Sequence, residues 1–127
     1  MSDAMQNHGS FSWMELHSGD ADKAKAFYKS LLGWGTEDMD MPGMTYSVIT
    51  NGVGKIGGFP PMAADTPRWL PYVTVDDVDA CVGTARSLGA DIASEPMTIP
   101  GVGRMATIVD PVGGVIAMIT YETQADT

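Results

Sequence analysis

The segment FSWMELH, residues 11–17, alternates along its length. Phe11, Trp13, Glu15 and His17 fall on one side and Ser12, Met14 and Leu16 on the other, the period of two expected of a strand. Polarity then changes to a helical period. Ser18 or Asp20 caps a helix running through Leu32, with a buried stripe of Ala24, Phe27, Tyr28 and Leu31 and a terminating glycine at Gly33. Three strands follow, over 36–41, MTYSVIT (44–50) and KIGGF (55–59), separated by Pro42-Gly43 and by the hairpin signal Asn51-Gly52.

The same order then recurs. YVTV (72–75) reads as a strand, residues 77–88 as a helix, and ADIAS, GRMATIV and VIAMIT as three more strands. Asp76 is the expected N-cap, with Asp79 placed to favour the helix start. The buried stripe is Val78, Cys81, Val82, Ala85 and Leu88. Laid on itself with a shift of 56, the chain matches Trp13 to Trp69, Asp20 to Asp76, Leu32 to Leu88 and Gly33 to Gly89. Pro42-Gly43 meets Pro100-Gly101 at 58, Tyr46 corresponds to Arg104, and KIGGF meets VIAMI at 60.

Two βαβββ modules are therefore expected, in the α+β class. Each helix covers one face of its own sheet, and the uncovered faces need a partner, which makes a curved eight-stranded mixed sheet around a cup. The division expected is a disordered or extended N-terminus (1–10), module one (11–59), a linker containing PPMAADTP (60–67), module two (68–121) and a tail (122–127).

Charge narrows the choice of partner. Sixteen acidic residues against seven basic ones give a net charge of −9, which repels a phosphate backbone and argues against nucleic acid. No stretch approaches the ~18 uncharged apolar residues of a membrane span, and the first residues lack the basic start and apolar run of a secretory signal, so a cytoplasmic protein is expected. A single cysteine, Cys81, excludes an internal disulfide and any multi-thiolate metal site. On a helix stripe it reads as packing.

The segments LHSGDADKAKAFYKSLLGW (16–34), YVTVDDVDACVGTARSLGA (72–90) and DPVGGVIAMI (110–119) resemble the vicinal oxygen chelate superfamily of glyoxalase I, bleomycin-resistance proteins and extradiol dioxygenases. The resemblance implies paired βαβββ modules forming a cup, frequently with two chains packed together as a homodimer. In its metal-dependent members, one residue from the first and one from the last strand of each module bind a divalent ion. Those positions fall here on Trp13, Gly57, Leu70 and Ala117, with Trp69 in place of Leu70 if repeat identity sets the register. None offers imidazole, carboxylate or thiolate, so no metal and no cofactor are expected.

Glu15 and His17, two residues apart on the side facing the cup, are the candidate acid and base. The plainer reading leaves His17 at the open end of the strand and Glu15 bonded to a neighbouring strand or paired with Arg104. Tyr46, Lys55, Tyr72 and Arg104 are polar candidates for the cup, Arg104 either as an anion anchor or as a rim residue offsetting excess acid. Trp13, Phe59 and Trp69, with the methionines, are candidates to line an apolar pocket, while Trp34 reads as core. Asp110-Pro111 with Gly113-Gly114 reads as a tight turn.

Three functions remain open: a metal-free protein that binds a small apolar or planar ligand, an enzyme of the glyoxalase or dioxygenase type using Glu15 and His17 or a relocated metal, and an interaction module with a collapsed cup. The fold alone cannot choose among them.

Overall fold

A computed structural model describes residues 3–41, 43–61 and 66–122. Pro42, residues 62–65 of the expected linker and residues 123–127 of the expected tail lie outside the described residues. Eight strands and two α-helices make the α+β, mixed-sheet fold expected, twice in the order βαβββ. The elements are β1 (Phe11–His17), α1 (Ala21–Leu32), β2 (Gly35–Met41), β3 (Met44–Thr50), β4 (Lys55–Phe59), β5 (Arg68–Thr74), α2 (Val78–Ser87), β6 (Asp91–Ile99), β7 (Gly103–Val109) and β8 (Val115–Tyr121). The chain divides into two compact units, one of Trp13–Leu70 and one of Met1–Ser12 with Pro71–Thr127.

In the first unit the strands run β2-β3-β4-β1, with β1 and β4 parallel and the other pairs antiparallel. Asp20 caps α1 by accepting from the Lys23 amide at 3.1 Å, and Gly33, at φ 74°, ends the helix by donating its N–H to the Lys29 carbonyl. Leu16, Ile49 and Phe59 form the core beneath α1, with Ala21, Ala24, Tyr28, Trp34, Ile56 and Trp69 packed on it. The expected stripe is only half used. Phe27 and Leu31 remain 58% and 62% exposed, because Ala24 and Tyr28 alone of that stripe reach the core.

In the second unit the strands run β5-β8-β7-β6, again with one parallel pair. Val75, Val78, Val82, Ala106 and Met118 form its core under α2. The N-cap is Asp77, which accepts from the Ala80 amide at 3.1 Å, and not Asp76 as the repeat suggested. Asp76 instead donates its backbone N–H to His8 Nδ1. Residues 3–10, expected to be disordered or extended, hold a short 3-10 turn and are bonded to β5: Gly9 donates to the Thr74 carbonyl at 2.7 Å and Thr74 donates back to Ser10 at 2.8 Å.

Candidate functional site

Register decides which side chains share a face. In the first unit, Met14 pairs with Gly57 and Gly57 with Ile49, so this row lies on the α1 side with the core. Glu15 pairs with Gly58 and Gly58 with Val48, which sets Glu15 on the face away from α1. Trp13 and His17 join it there by alternation. Gly57, expected on the uncovered face, is therefore on the helix side, and Gly58 occupies the position sought. A β-bulge between Ile49 and Thr50 breaks the simple alternation that a reading from the sequence assumes.

Four of the candidate residues meet on this face. The Trp13 indole N–H donates to the Tyr46 hydroxyl at 3.0 Å, and that hydroxyl donates to Glu15 Oε2 at 2.8 Å. His17 Nε2 stands 2.9 Å from Glu15 Oε1. The approach is off the axis an imidazole N–H requires, so this buried nitrogen has no aligned hydrogen bond among the described residues. Glu15 is 8% exposed, a burial that a carboxylate tolerates only with donors around it. Gly58 makes room for the array, since a Cβ there would overlap the Tyr46 phenol. The signal for Gly58 was the paired glycines of KIGGF, read one residue out of register.

Other candidates lie elsewhere. Phe59, 2% exposed, is in the core under α1 and does not line the uncovered face. Trp69 also packs on the α1 side, edge-on to Tyr28 and Trp34 with ring centroids 5.6 and 6.1 Å away. Tyr72, Ala117 and Thr107 share a row in the second unit, on the face opposite the row of Val73, Met118 and Ala106 that packs under α2. Tyr72 is buried and its hydroxyl lies 3.7 Å from Met105 Sδ.

Arg104 alternates with Met105 onto the α2 side, where its guanidinium grips Asp79 in two bonds of 2.6 and 2.9 Å. Its guanidinium is thus engaged by a carboxylate of this chain, on the side opposite Tyr72. That hydrogen bond holds the Asp79 carboxyl below the usual range and Arg104 above its own. Lys55 lies 3.9 Å from Glu37. Burial pushes the Cys81 thiol up, helped by Asp77 and Asp76, which suits packing rather than reactivity.

A divalent metal is the group the family resemblance implies. The donor set does not fit it. With Gly58 replacing Gly57, the corresponding positions offer indole, bare backbone, isobutyl and methyl. Among the described residues no three His, Cys, Asp or Glu side chains gather into a group able to hold an ion. Glu15 and His17 are a pair without a third.

Duplicated βαβββ units in this strand order are the architecture of the vicinal oxygen chelate class of protein. The sequence pattern of the Glyoxalase/Bleomycin resistance protein/Dioxygenase superfamily matches residues 10–118, and the chain belongs to that superfamily. It is 35% identical over 114 residues to CFP32 of Mycobacterium tuberculosis, described as a glyoxylase, covering 87% of this chain and 44% of that protein. It is 31% identical over 128 residues to the anthracycline biosynthesis protein DauV of Streptomyces sp. strain C5, covering 93% of this chain and 45% of that one. The chain thus spans under half the length of these relatives. Among solved structures, methylmalonyl-CoA epimerase from Mycobacterium tuberculosis superposes with a TM-score of 0.64 at 16% identity, over 97% of this chain and 93% of that one. At that identity the likeness speaks for the fold alone.

Proposed function

We propose that the protein binds a small planar or apolar molecule without a metal, on the face of β1 that carries Trp13, Glu15 and His17. The observation that supports this is the chain of hydrogen bonds from Trp13 through Tyr46 to Glu15. At the family's first metal position stands an indole whose N–H is already satisfied, so what it offers a ligand is a ring rather than an electron pair. Its orientation is fixed in advance by Tyr46, which lowers the ordering cost of binding. A buried carboxylate beside it favours a ligand that donates hydrogen bonds and disfavours an anion.

The protein acts as a homodimer in the cytoplasm under this reading. Among the described residues no helix is long and apolar enough to cross a membrane. The test is metal analysis of purified protein with thermal-shift screening of uncharged aromatic compounds. Hits that stabilise the wild type and lose their effect in Trp13→Ala support the reading. Stoichiometric metal, or hits indifferent to Trp13, would sink it.

A second reading is favoured by the position of His17. Its buried Nε2 lies 2.9 Å from Glu15 Oε1, so under this reading the imidazole exchanges a proton with a ligand while Glu15 steadies the charge on the ring. Tyr46 would donate to the same carboxylate throughout. The name glyoxylase carried by CFP32 is in keeping with acid–base chemistry, and turnover lost in both Glu15→Gln and His17→Gln is its signature.

A further inference from the structure

The sheet of the first unit has a concavity on the side opposite the Trp13–Glu15–His17 face. It has a volume of about 260 Å³ and is lined by Met14, Trp34, Ile49, Ile56, Gly57 and Trp69. No charged residue takes part, in a chain with a net charge of −9. Gly57 forms part of its wall for a steric reason: a Cβ there would run into the Met14 carbonyl and stand 3.5 Å from Ile49 Cδ1. Two indoles form the opposite side, Trp34 and Trp69, with centroids 6.1 Å apart and planes at 81°. Tyr28, stacked on Trp34 at 5.3 Å and 29°, and edge-on to Trp69, holds both rings in place.

We infer that this concavity is a binding site for one uncharged aromatic ring system of one or two rings. The volume falls just below the roughly 300 Å³ at which pockets for drug-sized ligands begin, which limits the occupant to a small molecule. Two rings set nearly at right angles offer an incoming ring a stacking face and an edge at once, the two arrangements aromatic pairs prefer. Met14 closes the remaining side with a polarizable thioether that adapts to ring edges. A charged ligand would be desolvated with nothing to compensate it. Because β1 gives Met14 to this concavity and Trp13 and Glu15 to the other face, the two sites are chemically separate.

The test is saturation-transfer NMR on the full chain with indole as probe and indole-3-acetate as its charged counterpart. Indole should bind saturably, and the carboxylate at least about tenfold more weakly, a factor equal to about 1.4 kcal/mol. Ile56→Phe, which fills the concavity, should weaken indole at least about tenfold with the thermal midpoint maintained or raised, and Met14→Ala, which widens it, should change the preferred ring size. Ile56→Phe should lose indole here yet keep the thermal-shift hits that depend on Trp13, which separates this site from the one on the opposite face. The inference is overturned if indole shows no saturable binding, if Ile56→Phe binds it as the wild type does, or if Ile56→Phe loses the Trp13-dependent hits as well.

Discussion

Tyr46 reaches Glu15 across the backbone of β4 at the second of that strand's two glycines, Gly58: the phenol donates to Glu15 Oε2 at 2.8 Å with its ring over the glycine. Gly58→Ala should expel the phenol. Overpacking of this kind costs about 1–3 kcal/mol, and the loss of a donor to a buried carboxylate adds to it. Urea denaturation should show a lower midpoint at unchanged slope. Tyr46→Phe in the Gly58→Ala background should cost little more, since the bond is already broken; full additivity of the two would show that Gly58 does not position Tyr46.

The helix cap supplies a clean contrast between neighbours. Asp77→Ala should destabilise by about 1 kcal/mol, because its carboxylate accepts the Ala80 amide at the start of α2. Asp76→Ala, one residue earlier, should stay within about 0.5 kcal/mol, since its hydrogen bond is made by the backbone N–H and its carboxylate makes only an exposed 3.7 Å approach to His8. Equal effects in thermal or chemical denaturation would contradict the assignment.

For the pair of Arg104 and Asp79, pH is the informative variable. The Asp79 carboxyl is held below its ordinary value by hydrogen bonds from Arg104, so its folded value is depressed relative to the unfolded chain. Such a group adds stability above the unfolded carboxylate range and loses it as pH falls through the folded value. Arg104→Gln should flatten this part of the acid limb of the stability curve and leave neutral ligand binding untouched. The pair is exposed, so salt should shrink the difference. A loss of ligand affinity in Arg104→Gln would restore Arg104 as an anchor.

Asp110 obeys the same sign through a different cause. It accepts the amides of Gly114 and Val112, the first of which lowers its carboxyl most. Asp110→Asn keeps the shape of the turn and removes the charge, so the variant should match the wild type at low pH and fall behind it as pH rises past the carboxylate range. Proteolytic nicking within residues 110–114 as a function of pH would report the same opening of the turn.

Much of this was legible in the sequence. Strands β1, β3, β4 and β7 fall where alternation and turn residues put them, and α1 ends at Gly33, while α2 is capped by Leu88 just before Gly89. What the sequence concealed was register. The match of Trp13 to Trp69 suggests a shift of 56, yet the caps Asp20 and Asp77 are 57 apart. At a shift of 57 Trp13 corresponds to Leu70, and Trp69 turns to the α1 side. Likewise Gly58 and Ala117, not Gly57 and Ala117, are the equivalent positions facing away from the helices. An error of one residue inverts every side chain in a strand, which is why Arg104, equated with Tyr46, lies beside α2 instead. Phe27 and Leu31 show the limit of helical periodicity: both belong to the apolar stripe of α1, yet both stay exposed.

The split character of β1 limits how this protein can change. Trp13, Glu15 and His17 supply a polar relay, and Met14 and Leu16 between them an oily wall. Removing or adding one residue there would swap the two chemistries between opposite surfaces, so drift in length is confined to the loops, and each surface can be retuned only by replacing residues one for one.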